Sequence, residues 1–250
     1  MPRPCHVTRE CSYYSSRPNS YVINGTVLSV LTSINELGIC IDNKLSYNSH
    51  ISNIVVKAMQ RVGLLFRSFL CRDIKFLRRA YITYILPLLE YNTIIWSPCL
   101  KKYIDALEKV QRKFSKRIPA LRSMPYLERL ACLDIQPLEL RRLYFDLVYY
   151  YKILHNLTPH NPSTLFKFHN PPSSTRNSMS FIQKPTNGSK TFFSSFCNRS
   201  VDCWNSLSQE TRSINSLCSF KSAIHKLDLS SFLYGSAFTN LSRYGNILVL

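Results

Sequence analysis

KKYIDALEKVQRKFSKR, residues 101–117, decides the fold class of this chain. Its apolar residues Ile104, Leu107, Val110 and Phe114 recur every three or four positions. That spacing lines one face of an α-helix, whereas a half-buried strand would alternate at every second residue. Lys102, Lys109, Arg112, Lys113, Lys116 and Arg117 fall off that face, which makes this the most basic element of the chain. A helix that is apolar on one side must pack on others like it, so its neighbours decide what the protein is.

The same period extends in both directions. Ile51, Ile54, Val55, Ala58, Val62, Leu65 and Phe66 form a stripe with Lys57 and Arg61 outside it, and Asn48 or Ser49 is placed to cap that helix. A second helix is predicted over 73–89, with Ile74, Leu77, Tyr81, Tyr84, Ile85 and Leu88 inward and Arg78 and Arg79 outward. Pro87 should kink or end it. Downstream, Pro125 opens a short helix to Cys132. Pro137 opens a long one to Leu157, with Leu140, Tyr144, Leu147, Val148, Tyr151 and Leu154 inward.

At the N-terminal side the period drops to two. YVINGTVLSV (21–30) holds Asn24-Gly25 between apolar runs, the signature of a tight hairpin, and Leu37-Gly38-Ile39-Cys40-Ile41 predicts another strand. So few strands cannot bury a sheet face alone. The expected fold is mainly α: a multi-helix bundle over 43–157, preceded by a short β segment at 21–42. Residues 158–190, rich in Pro, Ser, Asn and Thr, read as a linker or surface loop. Apolar spacing returns at 192–207 and 220–229 and predicts two further helices, a small C-terminal appendage within 191–232. Residues 1–20 and 233–250 carry no periodicity and are expected to be a disordered leader and a tail.

Composition bounds the function. The chain has 250 residues, 45% hydrophobic and 12% aromatic, enough for a real core, yet carries 32 Lys and Arg against 14 Asp and Glu, a formal charge of +18. From Lys44 to Arg142 there are 19 basic and 7 acidic residues, so most of the excess lies in the helical block. Such a field recruits polyanions, above all nucleic acid. The basic residues Lys57, Arg61, Lys102, Lys109, Arg112, Lys113, Lys116 and Arg117, with Arg78 and Arg79 as outlying candidates, form a phosphate-tracking surface in this reading. Aromatics interleave at Tyr81, Tyr84, Tyr91, Trp96, Tyr103 and 149–151, and packing is the better account of them, Tyr91 and Trp96 included.

Other chemistries find no frame. Nine scattered cysteines without a Cys-x-x-Cys pair read as reduced thiols, and Cys197, Cys203, Cys218 and His225 lack the ligand spacing of a zinc finger or knuckle. No nucleophile elbow, Walker loop or dinucleotide fingerprint is present. No signal peptide or twenty-residue apolar run occurs, and the apolar stripes suit packing against each other better than a membrane surface, so an intracellular protein without metal or cofactor is expected.

Several runs carry a resemblance: LGICIDNKLSYNSHI (37–51), KAMQRVGLLFRSF (57–69), YITYILPLLEYNTIIWSP (81–98), IDALEKVQRKFSKRI (104–118) and YLERLACLDIQPLELRRLYFDLVYYYKI (126–153). In this order they resemble the stretch after the active-site motif of non-LTR retrotransposon (LINE, jockey-like) reverse transcriptases. Arg199, Trp204-Asn205, Phe220-Lys221 and Leu227 are similar to the ends of such proteins. The resemblance spans roughly 21–232. It implies that 21–42 is the edge of a palm, with the Leu37-Gly38 strand at the primer grip. It also implies that 43–157 is a thumb lying across a template–primer duplex. Polymerases of this kind hold two metals on clustered carboxylates, two of them an adjacent Asp-Asp. The seven aspartates here, at 42, 73, 105, 134, 146, 202 and 228, include no adjacent pair. The expectation is a truncated reverse-transcriptase fragment, not an enzyme, that binds RNA or an RNA–DNA duplex without sequence preference and self-associates through the exposed palm-edge strand. The alternative is a domesticated helical scaffold for an acidic protein partner.

Overall fold

The computed structural model describes residues 21–168 and 181–235. The expected leader 1–20, the middle of the proline- and serine-rich stretch, 169–180, and the tail beyond 235 lie outside the described residues. The chain is mainly helical, as the periodicities require, with two β-hairpins at its start. β1 (Tyr21–Ile23) pairs antiparallel with β2 (Thr26–Leu28) through Asn24-Gly25, both with positive φ (50° and 76°), the two-residue turn that strand twist favours. The expected second strand is corrected in detail. Leu37-Gly38 is itself a turn (φ 46° and 82°), joining β3 (Ser33–Glu36) to β4 (Ile39–Asp42). Gly38 reads as strand in the sequence, yet it supplies the positive φ of a second hairpin of the same kind.

α1 (Asn48–Ser68) buries Ile51, Ala58, Val62, Leu65 and Phe66 as its spacing predicts, but no side chain caps its start; Tyr47 turns the chain in at φ 54°. The helix predicted over 73–89 divides into α2 (Ile74–Tyr84), capped by Asp73 through Phe76 N–H, and α3 (Leu86–Glu90). The division falls at Ile85, two residues before Pro87, whose ring has no N–H to donate and clashes with the preceding turn. α4 (Thr93–Trp96) follows, and then α5 (Lys101–Lys116). α6 (Tyr126–Leu133) and α7 (Leu138–Leu154) start one residue after Pro125 and Pro137, as the prolines predict.

Beyond α7 the expectations need correction. The Thr158–Lys190 stretch contributes α8 (Pro162–Leu165), and a single β-bridge joins Phe168 to Ile182. Phe166 and Ile182 are buried, so both ends of the supposed linker are anchored in core. The helix predicted over 192–207 is broken into α9 (Lys190–Phe193), α10 (Phe196–Arg199) and α11 (Val201–Ser206). Serine is the cause: Ser195 is extended, and the Ser189, Ser208 and Ser216 hydroxyls cap the starts of α9, α12 (Gln209–Arg212) and α13 (Leu217–His225). A serine side chain competes for backbone N–H groups and favours caps over helix interiors.

Two apolar clusters result. The first runs from Ile39 to Leu138 and joins β4, α1, α2, α3, α5 and α6, with the stacked rings of Tyr81 and Phe114 (centroids 4.4 Å apart) at its heart. The second joins α7 to Phe166, Ile182, α11 and α13, with Tyr150, Tyr151, Trp204 and Phe220 fully buried. α7 therefore carries far more buried surface than its predicted stripe: Arg142, Tyr150 and Ile153 are buried too.

Polar side chains stitch the clusters together. Asp146 of α7 accepts from Arg199 (2.6 and 2.7 Å) and from Ser200 Oγ (3.0 Å), and Arg199 also donates to the Ile94 carbonyl at the end of α4 (2.8 Å). Breaking so buried an ion pair by removing one partner costs roughly 3–5 kcal/mol, because the other charge is left uncompensated. Glu108 of α5, buried, accepts from Leu138 N–H (3.1 Å) and the Tyr126 hydroxyl, and Gln111 bonds Tyr81 Oη (2.8 Å). Burial holds the Glu108 carboxyl above its ordinary pKa. Glu139 receives the backbone N–H groups of Tyr234 and Gly235 (2.7 and 2.9 Å), tying residues 234 and 235 to the start of α7.

Candidate nucleic-acid interface

α5 presents its charge because its other flank is committed to the core. Ile104, Leu107, Val110 and Phe114 are buried, and so are Glu108, Gln111 and Ser115 beside them. The buried arc thus covers about half of the helix circumference. What remains outside is a line of lysines, Lys102, Lys109, Lys113 and Lys116, at spacings of seven, four and three, all exposed. Over fourteen residues such a line is about 21 Å long.

The structure separates the eight predicted basic residues into free and tethered groups. Lys109, Lys113 and Lys116 are free ammonium groups on the exposed face, and Lys102 lies over the Tyr103 ring (4.7 Å). Arg112 is half-buried, with its guanidinium over the Tyr126 ring at 4.7 Å and its Nε enclosed without a partner. Arg117 covers Phe66 at 4.5 Å where the last turns of α1 and α5 meet, and keeps its outer edge exposed. Lys57 and Arg61 are exposed on α1, one turn apart, but Arg61 is drawn to the Tyr84 carbonyl at the end of α2 (3.0 Å). Of the two outlying candidates Arg79 is exposed, whereas Arg78 braces α2 against α6, donating to the Leu133 and Asp134 carbonyls (2.6 and 3.1 Å) and pairing with the Asp134 carboxylate. Arg78 is therefore removed from the phosphate-facing set. It satisfies carbonyls that the end of a helix leaves open.

Among the interleaved aromatics, Trp96, Tyr81, Tyr150 and Tyr151 are packing residues, and the Trp96 indole N–H is satisfied by the Tyr91 carbonyl (2.8 Å). Tyr91 itself is 54% exposed, a correction to its assignment as core; its hydroxyl reaches out to the Leu37 carbonyl (3.1 Å) and ties the second hairpin to the α3–α4 turn.

Sequence reasoning missed a cleft of about 530 Å³ whose floor is the outer stripe of α7 and whose walls are the α3–α4 segment and α13. Its residues come from stretches some 130 positions apart, so no local pattern announces it. Among the described residues, no group of three or more His, Cys, Asp or Glu side chains is arranged to hold a metal ion, and no helix is long and apolar enough to cross a membrane.

An uncharacterized protein of Caenorhabditis elegans is 27% identical to this chain over 128 residues, which is 50% of this chain and 65% of that protein. The match thus spans somewhat under two thirds of the relative's own length. No protein-family model matches the chain, and no solved structure matches it.

Proposed function

We propose that this chain is a sequence-independent nucleic-acid clamp, the thumb-like part of a reverse transcriptase of the non-LTR retrotransposon (LINE, jockey-like) kind. It grips the phosphate backbone of an RNA or RNA–DNA duplex with α5 and contributes no polymerase carboxylates of its own. The observation that carries this reading is the exposed lysine line on α5, four ammonium groups on one edge of a helix whose opposite arc is fixed in the core. Lysines so arranged neutralise successive phosphates and release their counterions, which gives affinity without reading sequence. The resemblance of the 81–98 and 104–118 runs to that family supplies the identity of the duplex, and the formal charge of +18 supplies the long-range attraction.

The test is fluorescence anisotropy of the full chain with a labelled RNA–DNA hybrid across a salt series. Lys109→Gln, Lys113→Gln and Lys116→Gln together should weaken binding and flatten the plot of log K against log salt by roughly 0.9 per lysine removed. Arg112 is left intact in that variant, since its place over Tyr126 makes it part of the fold. Binding that ignores both salt and the three substitutions, with an acidic protein captured instead, would transfer the function to a helical scaffold.

A further inference from the structure

The cleft along α7 combines aromatic and basic side chains. Arg141, Tyr144, Phe145, Val148, Tyr149 and Lys152 follow one another at spacings of three, one, three, one and three, so a single stripe of the helix makes its floor. From Arg141 to Lys152 that floor is about 16 Å long. α13 forms one wall and runs antiparallel to α7: its Phe220 stacks on Tyr151 (4.4 Å) while its His225 packs against Tyr144 (4.5 Å). Lys221, one turn before His225, therefore lies toward the Lys152 end. Asn92 and Thr93 line the opposite wall.

Positive charge gathers at the Lys152–Lys221 end of this trough. Arg141 and His225 stand at one end, Lys152 and Lys221 at the other. The one carboxylate among the lining residues, Glu90, accepts from Arg141 Nε and Nη2 (Nη2 to Oε2 3.0 Å), so the two charges cancel. His225 is held below its ordinary pKa by burial first, then by Arg141 and Lys221, so its ring is neutral at pH 7 and offers a hydrogen bond rather than a charge. Between the charges lie aromatic faces. Phe145 is half-exposed and belongs to neither apolar cluster, and the Arg141 guanidinium lies over its ring at 5.8 Å. Tyr149 is half-buried, with its inner edge against Phe196 (5.4 Å).

We propose that this trough is a binding site for single-stranded nucleic acid, distinct from the lysine line of α5. Unpaired bases stack on Phe145 and Tyr149, the flanking phosphates are held by Lys152 and Lys221 at one end, and Arg141 and the neutral His225 ring offer hydrogen bonds at the other. Cations that track a backbone, spaced by aromatic rings that accept any base, are the pattern by which single strands are held without sequence preference. An acidic peptide would use the cations but leave Phe145 idle, and a duplex, with its bases stacked inside, offers nothing to the rings. The amides of Asn92 and Gln136 on the cleft wall provide donors and acceptors for exposed base edges.

The experiment uses the full chain, a fluorescein-labelled single strand about eight nucleotides long, within the footprint of one single-strand module, and the RNA–DNA hybrid in parallel. Phe145→Leu should weaken single-strand binding roughly tenfold and leave hybrid binding alone. Lys152→Gln with Lys221→Gln, on the rim, should do the same without touching either apolar cluster, and circular dichroism would certify the fold of both variants. Crosslinks from 4-thiouridine should map to peptide 141–152. Single-strand affinity unchanged in both variants overturns the proposal, as does poly-glutamate binding as tightly as the oligonucleotide. Loss of single-strand binding on substituting Lys109, Lys113 and Lys116 alone overturns it too, by placing the strand on α5. Failure of the duplex clamp would appear separately, on the hybrid arm.

Discussion

His50 joins the second hairpin to α1. Its Nδ1 accepts the backbone N–H of Cys40 (3.2 Å), which puts the ring proton on Nε2, and its ring meets Trp96 edge-on at 5.3 Å, where Nε2 has no acceptor. Burial, then the charge of Lys57, holds its pKa below the ordinary 6.5, and burial acts in the same direction on His225. A histidine with a depressed folded pKa binds fewer protons in the fold than in the unfolded chain, so stability is lost as pH falls through 6.5 toward the folded value. The melting temperature should therefore fall between pH 7.5 and pH 5.5. His50→Gln, which keeps an acceptor for Cys40 N–H and cannot titrate, should flatten that fall when followed by thermal circular dichroism. An unchanged slope in His50→Gln would place the acid sensitivity elsewhere. In the sequence His50 reads as a hydrogen-bonding residue ahead of a helix, but its surroundings are not legible there, since they depend on a hairpin ten residues upstream and an indole 46 residues on.

At the scale of elements, local chemistry predicted most of what was built. The 3.6 period gave α1, α5 and α7 their inward faces, prolines placed the starts of α6 and α7 and the break between α2 and α3, and Asn24-Gly25 gave the first hairpin. The second hairpin was misread because its first turn residue is leucine, which rarely adopts positive φ. Leu37 sits at φ 46° with its side chain 77% exposed, so it bears the strain of the left-handed region without packing in return. Leu37→Asn would copy the turn of the first hairpin and should stabilise the chain by about 1 kcal/mol. Chemical denaturation checks it, and the Tyr91 hydroxyl keeps its bond because the acceptor is the backbone carbonyl. The C-terminal helices were legible as apolar spacing but not as breaks, since serine caps and serine interiors look alike until the backbone is seen. The lysine line of α5 was legible almost residue by residue, whereas the α7 trough was not, because its walls meet only after the chain has returned through α13.

For the molecule as a whole, the weakly covered surface is at the start. Val22, Ile23, Val27, Leu28, Val30 and Leu31 are all exposed, and among the described side chains of the two hairpins Ile39 is the one buried apolar residue. Short strands with open edges and apolar faces pair with other copies. Light scattering after size-exclusion chromatography should show self-association that Val22→Lys with Val27→Lys abolishes; a monodisperse monomer of the unaltered chain would count against it. The two apolar clusters face a different problem, that of order. α7 is complete once Leu154 has been made, but Trp204 and Phe220, which cover its aromatic side, follow 50 and 66 residues later. At the pace of a ribosome that interval lasts roughly 3–13 s. During translation the first cluster can close while Tyr150 and Tyr151 stand bare beside it, so the nascent chain passes through a sticky stage that the finished fold conceals.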